Sequence, residues 1–322
     1  MQFRTIIPIE KSENQVDYSS NLLLMGSCFA ENIGAKFDYF KFNHLVNPFG
    51  IIFNPISIEK LLDRIVNNRK FTETDIFYHN DLWHSYEVHS ELSNPNKEVY
   101  LHKLNSLLEE TRIRISEISH FQITYGTSWI YQNIESDKIV ANCHKVPQKQ
   151  FTKELLPIET IQNSIRNTID LVREINPNCQ FIFTVSPVRH VKDGFIENTV
   201  SKAHLISAIH HSQLETCNSK PATQNLHYFP SYEIMMDELR DYRFYSEDML
   251  HPNKTAIDYI WERFLKSFIN ESAIQTLQEA DAIQKSLLHK AFNPNSDSHQ
   301  KFLTHLNQKI LHLQSKYPYI KF

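Results

Sequence analysis

The residues best suited to chemistry are a serine near the start of the chain and an aspartate-histidine pair far downstream. Ser27 follows the apolar run 22–25 and precedes a stretch in which large apolar residues recur at helical spacing from Phe29 to Phe40. This pattern predicts a buried strand, a bend at Ser27 and an amphipathic helix over residues 28–41. A serine at such a bend is exposed at the edge of the sheet, and the free N–H groups at the helix start can stabilise an anion. The pattern therefore puts Ser27 where an acyl-transfer enzyme has its nucleophile.

Asp248 and His251 supply the partners that such a serine needs. They are three positions apart, so the carboxylate can accept a hydrogen bond from the imidazole, which fixes the tautomer and stabilises the imidazolium. Asn253 is predicted to cap a helix whose apolar stripe runs from residue 257 to residue 268. Serine first and Asp-His last is one of several chain orders that give the geometry of a catalytic triad.

Less specific roles are open for the same residues. Ser27 could only cap its helix, as serines often do, and Asp248 and His251 could be a pair in a surface turn. Cys28 is a rival nucleophile, although a residue one step into a helix is expected to point toward the core. The combination of the upstream serine with the downstream pair favours Ser27.

Strand-like and helix-like segments alternate along the chain. The predicted strands after the first cover 121–125, 181–185 and 226–229, and the further predicted helices cover 98–118, 158–175, 198–217 and 231–239. This alternation predicts a parallel sheet with helices on both faces, in which ligands bind beyond the carboxyl ends of the strands. Ser27, Gly126 and Ser186 closely follow predicted strands, so we expect them to share one rim.

Two segments do not fit the alternation. Residues 67–96 are too long for an ordinary connector and are expected to form a lid or a small extra hairpin. Residues 271–322 are polar and helical in pattern, which predicts a helical extension packed on the core. We therefore expect a main domain over residues 1–270 and a C-terminal extension over 271–322.

Composition and charge narrow the class of protein. The chain has 322 residues, 41% of them hydrophobic, and a net charge of −4. It has no Lys/Arg-rich cluster, so neither nucleic acid nor an anionic membrane surface is predicted as a partner. No segment has the apolar length of a signal peptide or a membrane span. These features predict a cytoplasmic protein.

Cysteine and histidine usage gives no metal or disulfide signal. The cysteines at 28, 143, 179 and 217 form no C-x-x-C pair and are expected to be reduced and mostly buried. His79, His84 and His89 are evenly spaced by five, which matches neither one face of a helix nor one face of a strand. We therefore predict no metal site.

Six short blocks run in order from residue 26 to residue 251. They are GSCFA (26–30), NPFG (47–50), YGTSW (125–129), NCHKVP (142–147), SPVRH (186–190) and DxxH (248–251). In this order they resemble the blocks of the GSCFA family, a branch similar to the SGNH/GDSL hydrolases. Several blocks in order are far more specific than any one of them.

The resemblance implies a fold and a set of roles. The fold is a flavodoxin-like three-layer α/β/α sandwich with a central parallel sheet, as in SGNH hydrolases, followed by the helical extension. Ser27 is then the nucleophile, His251 the base and Asp248 the partner that orients the base. Gly50 matches the glycine whose N–H joins that of Ser27 in the oxyanion hole.

The third block departs from the wider superfamily. The superfamily has an asparagine two residues after the glycine of this block, where this chain has Ser128. The missing donor is then Thr127, Ser128 or Asn142, and we rank Asn142 and Thr127 first. Losing one oxyanion donor can lower the rate about 100-fold or more, so the departure bears on catalytic efficiency.

We therefore predict a serine esterase of SGNH type that hydrolyses an acyl ester, such as an acetyl ester, on a carbohydrate or small metabolite, without metal or organic cofactor. An acyltransferase with the same acyl-enzyme is a close variant. A non-catalytic glycan- or peptide-binding protein is the alternative from another class. Asn142 and His144 either line the pocket or satisfy a loop. Arg189 and His190 either bind a substrate carboxylate or sugar hydroxyls, or, for Arg189, form a salt bridge.

Overall fold

The computed structural model describes residues 5–218, 225–290 and 292–322. Its strands are β1 (Asn21–Gly26), β2 (Asn43–Val46), β3 (Phe77–His79), β4 (Leu82–His84), β5 (His120–Tyr125), β6 (Trp129–Asn133), β7 (Lys138–Val140), β8 (Phe151–Leu155), β9 (Gln180–Val185) and β10 (Leu226–Phe229). Its helices are α1 (Cys28–Tyr39), α2 (Pro55–Val66), α3 (Lys97–Glu117), α4 (Ile158–Ile175), α5 (Phe195–Asn218), α6 (Ser231–Glu233), α7 (Lys254–Phe268), α8 (Ile274–Leu287) and α9 (Asp297–Lys316).

The central sheet has five parallel strands in the order β10-β9-β5-β1-β2. Between β1 and β5, Gly26 lies opposite Thr124, and between β5 and β9, Tyr125 lies opposite Val185. Numbered within this sheet alone, the order is 2-1-3-4-5, which is the flavodoxin-like arrangement. The strand order reverses between β1 and β5, so the crevice beyond their carboxyl ends is the topological switch point where such sheets bind ligands.

Helices cover both faces of the sheet because alternate strand residues point in opposite directions. Leu23 and Met25 of β1 pack with α2, α3, α4 and α5 in one apolar cluster. Leu22 and Leu24 pack with α1 and α7 in a second cluster, to which α8 and α9 also contribute. The molecule is therefore a three-layer α/β/α sandwich with C-terminal helices packed against one layer, which confirms the predicted fold class.

The segments that did not fit the alternation have simple structures. Residues 67–96 contain the antiparallel hairpin β3–β4, in which Tyr78 lies opposite Trp83. A second small sheet, antiparallel in the order β7-β6-β8, follows β5 and was not predicted. The segment 231–239, predicted as one helix, is the short α6 followed by a π-helical turn over Ile234–Glu238.

The cysteines and the helices can be checked over the described ranges. Cys28, Cys143 and Cys179 are free thiols, and Cys179 is buried while the other two are partly exposed; the side chain of Cys217 lies outside the described residues. No described helix is long and apolar enough to cross a membrane.

Candidate active site

Ser27 is held at a tight turn between β1 and α1. Gly26 has φ +139°, and a Cβ on it would lie 2.1 Å from the carbonyl oxygen of Thr124, so only glycine fits between the two strands. The N–H of Ser27 donates to that same oxygen at 3.0 Å. Ser27 Oγ accepts the N–H of Phe29 at 3.2 Å and so caps α1. The hydroxyl donates to no described residue. The serine as a whole is 2% exposed, so the expectation of an exposed serine at this bend is wrong.

Cys28 lies beside Ser27 but is held as a neutral thiol. Burial raises the pKa of Cys28 above its ordinary value, and Glu31 raises it further, while the Lys202 ammonium opposes the shift. A thiol must ionise to act as a nucleophile. The environment therefore makes Cys28 a poor rival to Ser27.

Asp248 and His251 form a short hydrogen-bonded turn. Asp248 Oδ2 lies 2.5 Å from His251 Nδ1, and Asp248 Oδ1 accepts the N–H groups of Leu250 at 2.9 Å and His251 at 3.0 Å. The backbone N–H groups of His251 and Leu250, followed by the His251 side chain, lower the pKa of Asp248 to about 2. Because the carboxylate orients Nδ1–H, Nε2 is the basic nitrogen, and it has no hydrogen-bond partner in the described part of the chain.

The turn is strained and is braced from two sides. Met249, between the aspartate and the histidine, has φ +57°, a left-handed conformation that costs about 1–2 kcal/mol for a residue with a Cβ. Asn253 caps α7 by accepting the N–H of Ala256 at 3.1 Å, as predicted. The backbone N–H of Arg189 donates to Leu250 O at 3.2 Å, and its Nη1 donates to Met249 O at 3.3 Å. Arg189 thus holds the carbonyls immediately before His251.

The surroundings of Arg189 are aromatic. Its guanidinium lies 5.3 Å from the ring centre of Phe195, 5.7 Å from that of Tyr242 and 5.5 Å from that of Tyr245. Within residues 5–218, 225–290 and 292–322 it forms no ion pair with a carboxylate. The salt bridge offered as one role for Arg189 is therefore not formed with any described residue.

The serine turn and the histidine turn share one rim. Because β1, β5 and β9 are parallel and in register, Ser27, Gly126 and Ser186 follow strands that end at the same edge. The pKa of His190 is lowered to about 3, mostly by burial and further by the nearby Lys202 ammonium and His251. Ser27 Oγ and His251 Nε2 are not hydrogen-bonded to each other, so the pair is open in this structure.

The two backbone donors predicted for an oxyanion hole are already engaged. The N–H of Ser27 donates to Thr124 O, and the N–H of Gly50 donates to Asn47 O at 2.7 Å. Gly50 has φ +74°, and a Cβ there would lie 2.3 Å from Cβ of His89. The loop that carries Gly50 therefore packs closely against the segment that follows the β3–β4 hairpin.

Asn142 is fixed by the same segment but keeps its amide N–H groups free. Asn142 Oδ1 accepts Ser90 Oγ–H at 3.1 Å and the N–H of His144 at 2.8 Å. Its Nδ2 has no partner among the residues the structure describes. His144 contacts Ser90 Oγ through Nδ1 at 3.1 Å and Ser85 O through Nε2 at 2.7 Å, so both of its nitrogens serve the loop.

Thr127 and Ser128 face α5. Thr127 Oγ1 lies 2.8 Å from Ser201 Oγ and accepts the N–H of Trp129 at 3.0 Å. Ser128 donates its N–H to Ser201 Oγ at 2.8 Å and its hydroxyl to Ser201 O at 3.1 Å. Of the proposed substitutes for the third-block asparagine, Asn142 Nδ2 is the donor with no hydrogen-bonding neighbour among the described residues, whereas the hydroxyls of Thr127 and Ser128 both contact Ser201.

Lys202 at this rim was missed by the sequence reasoning. It is 1% exposed, and its Nζ donates to Gly126 O at 2.6 Å and to Ser186 O at 2.8 Å. A signal was present: Lys202 lies three and seven residues before the buried Leu205 and Ile209, on the apolar face of α5. A lysine on that face needs a polar partner inside the protein.

Among the described residues, no group of three or more His, Cys, Asp or Glu side chains is placed so that it could hold a metal ion.

The fold and the rim define an α/β protein of flavodoxin-like topology with a serine, a free imidazole nitrogen and an ionised aspartate at its switch-point edge. The chain belongs to the GSCFA family, whose model matches residues 21–264. A second model, described as GSCFA domain protein, C-terminal domain, matches residues 280–322. No curated protein matches the chain.

Proposed function

We propose that the protein is a serine esterase of the SGNH type, which cleaves an acyl ester on a carbohydrate or other small metabolite. The observation that carries the proposal is the position of Ser27 at the end of β1, beside the switch point and on the same rim as an Asp248–His251 pair with a free Nε2. A nucleophile, an oriented base and a ligand-binding crevice are the parts that acyl transfer requires.

The proposed reaction has two halves. Ser27 Oγ attacks the ester carbonyl carbon while its proton passes to His251 Nε2. The bond to the alcohol oxygen then breaks, and His251 returns the proton to that oxygen, which leaves an acyl group on Ser27. Water adds to the acyl-enzyme with His251 again as base, and the carboxylic acid departs from a regenerated serine.

Two features of the rim fit this chemistry. Asp248 remains ionised at every working pH because its pKa is about 2, so it stabilises the imidazolium that forms in each half-reaction. Asn142 Nδ2 is the donor we assign to the oxyanion, since the N–H groups of Ser27 and Gly50 already donate to carbonyls. Catalytic contacts are often long before substrate binds, so we expect Ser27 Oγ and His251 Nε2 to approach each other in the substrate complex.

The first test compares the wild type with Ser27→Ala, His251→Ala and Cys28→Ala. Hydrolysis of p-nitrophenyl acetate gives the rate, and labelling by a fluorophosphonate with peptide mass spectrometry gives the site. We expect S27A and H251A to lose about 10³-fold or more in kcat, S27A to lose the label, and C28A to keep both within about threefold. Added methanol or glycerol that captured the acyl group faster than water would redirect the proposal to an acyltransferase.

One observation favours the non-catalytic alternative. Ser27 is 2% exposed and its oxygen caps α1, which is the arrangement expected of a purely structural serine. If no ester were turned over, no label reached Ser27, and a glycan or peptide bound equally to wild type and S27A, the rim would be a binding cleft and the esterase proposal would be wrong.

A further inference from the structure

Lys202 is a buried cation for which the described residues offer no counter-ion. Its Nζ has two carbonyl acceptors, Gly126 O and Ser186 O, and no carboxylate pairs with it within the described ranges. The third N–H of the ammonium has no acceptor there. A buried ammonium is costly unless it is paired, whereas a methionine would fill almost the same volume on this apolar helix face without that cost.

The two carbonyls locate the cation at the candidate site. Gly126 directly follows β5 and Ser186 directly follows β9, so Lys202 ties together the carboxyl ends of two neighbouring strands. The groups that face it come from three other elements: Cys28 of α1, His190 of the loop after β9, and the ring of Tyr232 in α6 at 5.7 Å. Lys202 Nζ donates to Gly126 O, and the N–H of Ser27 donates to Thr124 O, two residues earlier at the end of the same strand, so the charge lies beside the serine turn.

The protonation of Lys202 is sensitive to this environment. Burial lowers the pKa of Lys202 to about 7, and the neighbouring Cys28 opposes that shift. The effect is mutual, because the ammonium lowers the pKa of the Cys28 thiol against the influence of burial. The thiol is therefore a natural reporter of the positive charge at the serine turn.

We propose that Lys202 is a positioning residue that fixes the loops after β5 and β9 and, in its protonated form, places a positive charge beside Ser27, where negative charge develops during acyl transfer. A preorganised cation in a water-excluded site stabilises a developing oxyanion far more than it would in water. The inference rests on the proposed esterase function for its catalytic consequence, but the charge itself can be tested without any activity.

The experiment compares Lys202→Met and Lys202→Gln with Ser201→Ala, a buried neighbour on α5 that bonds the same β5 loop through Thr127 and Ser128 but carries no charge. In a Cys143→Ser/Cys217→Ser background, the rate at which iodoacetamide alkylates Cys28 is measured against pH. Because Lys202 is protonated only below about pH 7, we expect K202M and K202Q to slow alkylation about three- to tenfold near pH 6 and to leave it nearly unchanged near pH 9, and S201A to leave the rate unchanged at both. Equal rates in all variants would overturn the proposal.

Ester hydrolysis gives the second readout. With Ser27-dependent turnover in the wild type, we expect K202M to lower kcat about tenfold or more with little change in KM, and S201A to change kcat less than threefold or so. A loss confined to KM would overturn the positioning role. Wild type without Ser27-dependent turnover would refute the esterase proposal alone, since alkylation still reports the charge. If neither K202M nor K202Q showed a cooperative melting transition, Lys202 would be a stability residue and the inference would be wrong.

Discussion

Asn142 and Thr127 differ in how many of their polar side-chain atoms are already hydrogen-bonded. The carbonyl oxygen of Asn142 is fixed by Ser90 and His144, which orients a free Nδ2, whereas the hydroxyl of Thr127 is engaged with Ser201 and Trp129. If Asn142 supplies the oxyanion donor, Asn142→Asp should keep the acceptor contacts and remove the donor. We expect kcat for p-nitrophenyl acetate to fall about 100-fold with an unchanged melting temperature.

The comparison variant is Thr127→Val, which replaces a buried hydroxyl with a methyl group of similar size. It should lower stability by about 1 kcal/mol through the lost hydrogen bonds while kcat changes far less than in N142D. The opposite ranking of the two variants in kcat, with both proteins folded by circular dichroism, would assign the donor to Thr127 instead.

At the residue scale, local sequence pattern predicted the parts that depend on nearby residues. The Asp248–His251 contact and the Asn253 cap follow from spacing of three residues within one short segment. The engagement of the Ser27 and Gly50 N–H groups could not be predicted, because it depends on where Thr124 and Asn47 come to lie in the fold. Long-range register is set by packing of the whole sheet.

The loop before α7 shows how an element positions a residue. Arg189 holds the carbonyls of Met249 and Leu250 from the end of β9, and this contact opposes the strain of the left-handed Met249. Arg189→Met should remove the side-chain contact and leave the backbone one. We expect kcat to fall about three- to tenfold because His251 is less well oriented, with equal losses for a neutral acetyl ester and an anionic succinyl monoester.

Arg240→Met is the matched control for that prediction. Arg240 is a surface arginine whose side chain is 74% exposed and pairs with Asp237, so its loss should leave both esters unaffected. A selective rise in KM for the anionic ester in R189M would show that Arg189 binds a substrate carboxylate, and the positioning role would then be wrong.

The elements with strong apolar periodicity were predicted almost to the residue. The structure begins and ends α4 at the predicted residues, Ile158 and Ile175, and α7 starts directly after its predicted cap. β2 and the sheet of β6, β7 and β8 were not predicted, because their strands are three to five residues long and only partly buried. So short a strand shows too few alternating apolar and polar residues to be recognised in the sequence. The hairpin β3–β4 was foreseen only as one of two options for residues 67–96.

At the scale of the whole molecule, six histidines of the described residues are buried or half-buried, and burial disfavours their charged form. Burial lowers the pKa of each below the ordinary value of 6.5; the six are His44, His84, His120, His144, His190 and His227. For His144 the folded value is about 4. Burial also raises the pKa of Glu233 above 4.5, and this one group favours the folded state in acid. The six histidines outnumber it. The protein should therefore be sensitive to mild acid.

The sign follows from proton counting. Below about pH 6.5 these histidines bind protons in the unfolded chain but stay neutral in the folded one. The free energy of unfolding therefore decreases as the pH is lowered, by ~1.4 kcal/mol per pH unit for each fully affected histidine. Urea unfolding at several pH values between about 5 and 7 measures the slope. His144→Gln should make it shallower because it removes one such group, whereas the exposed His210→Gln should not. Wild-type stability that stayed constant or rose toward pH 5 would show that these histidines are not held neutral by the fold.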